Sequence, residues 1–491
     1  MRYEILGAGR HEHDRSLEAD LPRNDMFSDL DYESDNSYES PDKMLEFFSD
    51  STWPSRTLAS LLEELENTSE ANTQDILSFD HNIVDSLKSF ALDPETVRPK
   101  LAQGREWRRL YIDAILLRCL NLLKSSGRTK SISEWEQTVQ LLDQGIILAG
   151  APGEGRLELV HLCISYIQHW YLPLELANSG SSHALLAPPS LPLATNQVPS
   201  ITPPPSLSTF PTLAQRPFIL PEFASSWPAT TNWKAKNYLV ECAGRGRIVP
   251  IERGGDYRTA DWGVELMPWD EFLNKIGWET GDDIEKLYLA QHSLFTQFPK
   301  LRADIQVPDY VYTEPANHPC YTGPPGNDEQ LVINAWCGGK GANSPAHTDP
   351  YYNVYGTFRP PRSQIQPKRN LVQVVGFKSI WLAPPEASPG MYAFNPAFKS
   401  SDQDHNPDKP NRESKREGMM GNTSSIDVFA LSAPDANTGI FKTAHPLFYQ
   451  HTLTLAQSAI LKPGDALIIP PGWWHAMRGI GGGSFSVSFW F

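Results

Sequence analysis

Apolar positions along this chain keep helical spacing in its first third and strand spacing in its last. Ile112, Ile115, Leu116, Cys119, Leu120 and Leu123 recur at i, i+3, i+4, i+7, i+8 and i+11, which puts them on one stripe of a helix. Ser133 followed by Glu136 has the spacing of a capping box, and Trp135, Val139, Leu142 and Ile146 continue a stripe behind it. Leu58, Leu61, Leu62 and Leu65 predict an earlier helix, and residues 157–170 a later one. Together they predict a helical domain over residues 53–175.

Beyond Arg216 the period changes. Residues 331–336, 371–382, 452–461, 466–470 and 485–490 are short runs rich in Val, Ile, Phe, Trp and Thr, with turn residues between them. Many short strands in one region predict a sandwich, barrel or jelly roll. Leu287, Gln291, Leu294, Phe295 and Phe298 keep helical spacing and predict a helix ahead of these strands. The expected fold class is α+β.

Composition sharpens the boundaries. Residues 11–50 hold thirteen acidic and three basic residues, so 1–52 is expected to be a disordered acidic tail. Residues 176–215 contain no Asp, Glu, Lys or Arg and are rich in Pro and Ser, which predicts an extended linker. The net charge of -16 offers no global cationic field for a polyanion, so direct nucleic-acid binding is disfavoured. Five scattered cysteines without paired spacing point to a reducing compartment. There is no apolar core behind a basic start in Met1 to Arg15, and no long apolar run elsewhere, so no membrane association is expected and the expected location is nucleus or cytoplasm.

Candidate chemistry lies in Ser344-Pro345-Ala346-His347-Thr348-Asp349-Pro350. On a strand, residues i and i+2 share a face, so His347 and Asp349 can present an imidazole and a carboxylate to one point. Far downstream, Pro470-Pro471-Gly472-Trp473-Trp474-His475 brings a second histidine after a strand and a turn. Two histidines and a carboxylate make the facial triad of non-haem iron(II), which leaves coordination positions open for a co-substrate and dioxygen. A core histidine beside a turn aspartate is the alternative for this pair. Lys378 follows an apolar strand, where a cation is unfavourable unless it meets an anion such as an acidic co-substrate; the alternative is an exposed turn.

Several ordered motifs resemble the Jumonji C family of Fe(II)/2-oxoglutarate oxygenases. They are Arg216 to Leu220, Trp227-Pro228-Ala229, Arg247 to Glu252, Tyr288 to His292, Ile333 to Trp336, Ser344 to Asp349, Val372 to Lys378, Pro463-Gly464-Asp465 and Ser484 to Trp490. The resemblance spans residues 216–491 and implies a cupin, or double-stranded β-helix (jelly roll), behind an N-terminal α-helical domain. It implies His347, Asp349 and His475 as iron ligands and as the catalytic centre. Lys378 would bind the distal carboxylate of 2-oxoglutarate, helped by Tyr288, Ser344 and Asn353. Glu252, Trp262 and Trp336 would line the substrate pocket, and O2 would complete the reaction. The implied substrate is a histone tail or another protein bearing Arg or Lys, to be hydroxylated or N-demethylated with release of succinate and CO2. A further partner would reach the helical domain. A catalytically inactive scaffold or reader in chromatin regulation, and a metal cupin of other chemistry such as an isomerase or hydrolase, remain as alternatives.

Two stretches depart from the family's pattern. Residues 354–370 separate Asn353 from Leu371, which the pattern places side by side; the stretch is either a loop over the active site or translated intervening sequence, and Asn370 competes with Asn353 for its role. Residues 394–425, including Lys415 and Arg416, are expected to form a disordered surface loop.

Overall fold

A computed structural model describes residues 130–174 except 154, nine residues between 108 and 123, and 191–491 except 255, 260–261, 280–284, 314–317, 322–330, 355–371, 395–420 and 433–437. The expected acidic tail, the helix over 58–65, Asn370 and the centres of both insertions lie outside these residues. The chain divides into two compact units, which meet in sequence at Pro173 and Leu174. No helix among the described residues is long and apolar enough to cross a membrane.

In the first unit, helices α1 (Ile132–Ala149) and α2 (Arg156–Tyr171) bury the predicted stripes. Val139, Leu142, Val160, Cys163 and Ile164 pack with the helical residues Ile112, Ile115, Leu116 and Cys119, all at 2% exposure or less. Each such side chain contributes about 1.5–3 kcal/mol of burial, so the stripes hold this unit together. The capping box of α1 is Ser131 with Glu134, two residues before the expected Ser133 and Glu136. Spacing alone does not choose between two overlapping pairs; the side chain that reaches the first free N–H does.

Among the described residues the second unit is built on twelve strands. They are β1 (Asn196–Gln197), β2 (Phe218–Leu220), β3 (Ile248–Arg253), β4 (Gly263–Pro268), β5 (Leu287–His292), β6 (Val332–Gly338), β7 (Asn343–Thr348), β8 (Asn353–Val354), β9 (Val372–Ala383), β10 (Gln457–Leu461), β11 (Ala466–Ile469) and β12 (Trp474–Trp490). The main order is β1-β10-β9-β12-β6-β5-β3-β4, and β7 and β8 also pair with β12. Strand β12 therefore touches β6, β7, β8 and β9, and the sheet curls around it.

Alternation sorts the two faces. Ile333, Ala335 and Cys337 of β6 and Phe485, Val487 and Phe489 of β12 share the face that packs outward, where the Phe485 ring meets Trp233 at 4.4 Å. The intervening Asn334, Trp336 and Gly338 face inward with Ser484, Ser486 and Ser488, each pair in direct register. The barrel interior is thus polar and buried, with these serines at 3% exposure or less.

Three expectations need correction. The predicted helix over 287–298 is strand β5 followed by one turn of helix (Leu294–Gln297). Residues 287–290 are buried throughout, and a strand covered on both faces loses the two-residue alternation that would identify it. The 176–215 linker stays largely exposed over its described part but is anchored rather than free: β1 pairs parallel with β10, Val198 and Phe210 are buried, and the Phe210 ring stacks on Tyr310 at 4.0 Å. Its lack of charge suits it to lie on apolar surface. The ends of the 394–425 stretch are ordered, since Thr423 and Ser424 are buried and bonded to neighbouring strands.

Candidate metal and co-substrate site

His347 on β7 and His475 on β12 are direct cross-strand partners, so their side chains leave the same face. Their ring centroids lie 4.2 Å apart. Asp349 follows two residues after His347, and its carboxylate oxygens lie 3.9 Å from His347 Nε2 and 3.5 Å from His475 Nε2. One ligand atom from each of the three can be chosen so that all lie within 4.8 Å of one another.

Main-chain contacts aim these groups. His347 Nδ1 bonds the Pro345 carbonyl at 2.8 Å and His475 Nδ1 bonds the Trp473 carbonyl at 3.0 Å, so each Nδ1 carries the proton and each Nε2 keeps its lone pair toward Asp349. The Gly472 N–H donates to the Asp349 carbonyl at 2.8 Å, tying the turn before His475 to the segment after His347. Gly472 adopts a φ of 73°, and a Cβ there would come within 2.9 Å of Cys320 Sγ, which explains the glycine of the Pro-Pro-Gly turn. Burial alone would raise the Asp349 carboxyl; its contacts with the imidazoles of His475 and His347 outweigh that and hold the group well below the usual carboxylate range. The triad thus presents a carboxylate and two imidazole Nε2 atoms, a donor set that fits a divalent metal, and among the described residues no fourth His, Cys, Asp or Glu joins it.

Deeper in the barrel, Lys378 of β9 is 3% exposed. Its ammonium donates to the Tyr288 hydroxyl over 3.4 Å and, among the described residues, forms no ion pair. The position opposite Lys378 on β12 is Gly479, where a Cβ would come within 2.8 Å of the Gly339 carbonyl oxygen, so the glycine lets that backbone approach. Tyr288 lies in register with Glu252 on β3, and its ring is 6.2 Å from that of Trp336. Trp336 Nε1 donates to Ser488 Oγ at 2.9 Å, which turns the indole along the interior wall. Ser344 is buried on β7 opposite Met477. Trp262 is half-buried in the loop before β4. Asn353 is on β8 between Ile469 and Trp490, but its side chain lies outside the described atoms.

The structure therefore brings together His347, Asp349 and His475, and separately Lys378, Tyr288, Glu252 and Trp336. Sequence reasoning missed Asn334, Ser484, Ser486 and Ser488 as lining residues. The signal was present in Ser484-Phe485-Ser486-Val487-Ser488-Phe489, a strict polar and apolar alternation that puts hydroxyls on one face of a strand. It also missed Tyr257, whose hydroxyl lies 3.1 Å from that of Thr423, the residue bridged to His347.

Comparison with known proteins agrees with this geometry. A family model described as a cupin-like domain matches residues 209–491. "Jumonji C domain-containing protein 5" of Drosophila melanogaster is 34% identical over 58% of this chain and 58% of its own length. "Lysine-specific demethylase 8" of Xenopus tropicalis is 33% identical over 56% of this chain and 48% of its own length, so the chain spans about half the length of such relatives. The "Lysine-specific demethylase 8" of Danio rerio is 30% identical over 79% of this chain and 81% of its own length.

Proposed function

From the premise that the chain belongs to the cupin-like Jumonji C family, we propose that it is an iron(II)- and 2-oxoglutarate-dependent oxygenase that oxidises an arginine or lysine side chain of a protein substrate. The observation that carries this reading is the meeting of His347, Asp349 and His475 in the same barrel as a buried Lys378 without an ion-pair partner among the described residues. When bound, iron and 2-oxoglutarate together activate dioxygen: the keto acid loses CO2 and takes one oxygen atom as succinate, and the other oxygen atom enters a substrate C–H bond.

This chain's own residues bind and orient. His347, Asp349 and His475 would hold iron on one face, with Nε2 presented because each Nδ1 is engaged by a carbonyl. Lys378 and Tyr288 would take the distal carboxylate of 2-oxoglutarate, whose charge offsets that of the ammonium. Ser344 and Asn353 belong to the same proposed set. Glu252, beside Tyr288, with Trp262 and Trp336, would receive a cationic side chain, where a carboxylate and aromatic faces suit guanidinium or ammonium.

The test is succinate formation by the full chain with Fe(II), 2-oxoglutarate and peptides centred on arginine, lysine or methyl-lysine. Turnover that survives His347→Ala overturns the proposal. Mass spectrometry of the peptide then separates gain of an oxygen atom, which is hydroxylation, from net loss of a methylene unit, which is demethylation. Iron binding without any conversion of 2-oxoglutarate would instead favour the catalytically inactive scaffold.

A further inference from the structure

Strand β4 ends the sheet order and, among the described strands, pairs only with β3. Its hydrogen-bonding phase follows from one bond. The Trp269 N–H donates to the Arg247 carbonyl at 2.9 Å, and these two residues extend the β3–β4 register by one step. Bonded and non-bonded pairs alternate along an antiparallel ladder, so the bonded pairs are Val249 with Met267, Ile251 with Glu265 and Arg253 with Gly263. Pro250 and Pro268, which lack an N–H, fall in the other phase as they should. The N–H and C=O groups of Val264 and Leu266 therefore point away from β3 toward the open edge, and among the described residues they bond to nothing there. The Val264 side chain is 48% exposed.

This edge leads to the proposed reaction centre. Val264 lies directly opposite Glu252, which lies opposite Tyr288, whose hydroxyl meets Lys378. At the Gly263 end, the preceding loop carries Trp262 and places Tyr257 against Thr423, the bridge partner of His347. Exposed edges are ordinarily blunted by proline, lysine or a bulge. Here Pro268 closes only the end away from His347.

We propose that β4 is the docking edge for the substrate: an extended segment of the substrate protein adds as a further strand, bonds the outward groups of Val264 and Leu266, and carries the residue to be oxidised past Gly263 toward His347. Outward groups repeating every second residue, ~7 Å apart, fit the main chain of an extended polypeptide. Glu252, buried on the neighbouring strand, favours a cationic side chain at the residue that enters the barrel. This inference rests on the oxygenase reading, and its test separates the two.

Conversion of 2-oxoglutarate to succinate by the unaltered full chain without peptide reports on the oxygenase reading alone. Docking is read with synthetic arginine- or lysine-centred peptides carrying a single backbone N-methyl group at successive positions. An added strand requires sensitivity at every second position of the docked flank; N-methylation that matters nowhere, or equally everywhere, overturns the proposal. Val264→Pro and Leu266→Pro each remove one outward N–H and no bond to β3, and each is expected to raise the peptide KM about three- to tenfold with kcat retained. Unchanged KM in both folded variants overturns it. So does a dimer, seen by light scattering, that Val264→Pro converts to monomer, because the edge would then belong to a second copy. If no succinate forms at all, fluorescence anisotropy of the same peptides reads the alternating pattern as binding, and docking stands or falls by that.

Discussion

An ammonium group at 3% exposure with a phenol as its hydrogen-bond partner is unfavourable until an anion joins it. Lys378→Met keeps the volume and removes the charge. It is expected to raise the stability of the ligand-free protein by about 1–3 kcal/mol in chemical denaturation, while 2-oxoglutarate binding falls about tenfold or more in calorimetry. His347→Ala and Asp349→Ala each delete one member of the triad; both are expected to abolish high-affinity Fe(II) or Co(II) binding in titration while the far-ultraviolet dichroism is retained. These residues were legible in the sequence because their cause is local: His347 and Asp349 share a face at i and i+2, and Lys378 follows an apolar run. The inward serines were equally local, but serine at alternating positions is also what an exposed strand face presents, and only closure of the sheet decides which side is inside.

The strand beside His347 is held in place from outside the ligand strands. Thr423 bridges His347, the Ser424 N–H donates to the Ala346 carbonyl at 2.8 Å, and Arg258 grips the same segment through the carbonyls of Ser424 and Ile426 at 3.1 and 3.0 Å, oriented by Asp256. Arg258→Ala leaves both carbonyls without this donor. We expect a stability loss of about 1–3 kcal/mol, faster amide hydrogen exchange in residues 421–426, weaker iron binding, and partial rescue by Arg258→Lys. Between β9 and β12, Gly376 sits at a φ of 76°, where a Cβ would meet the Gly483 carbonyl oxygen at 2.5 Å. Gly376→Ala is expected to destabilise the unit by about 1–3 kcal/mol in thermal melts, since neither backbone can yield without breaking the ladder. None of this was readable from spacing: the 421–426 segment lies seventy-odd residues from its partners β7 and more from Arg258, and β5 mimicked a helix because tertiary cover hid its period.

At the scale of the molecule, the family model begins at residue 209 whereas the ordered β unit already includes β1 and Val198. A chain starting at Leu191 is therefore expected to be about 2–4 kcal/mol more stable to urea than one starting at Thr209, which forfeits the β1 ladder and the buried Val198. The general plan, helices followed by a β-rich region, followed from the change of hydrophobic period. The register that makes a site of it did not, because pairing between distant strands is set by the whole sheet. That register also has a temporal consequence. Strand β12 comes after all four of its partners in the chain and supplies both His475 and the serine wall. During synthesis β6 and β9 lack this neighbour until β12 has emerged, and the complete triad cannot capture a metal before His475 has been made.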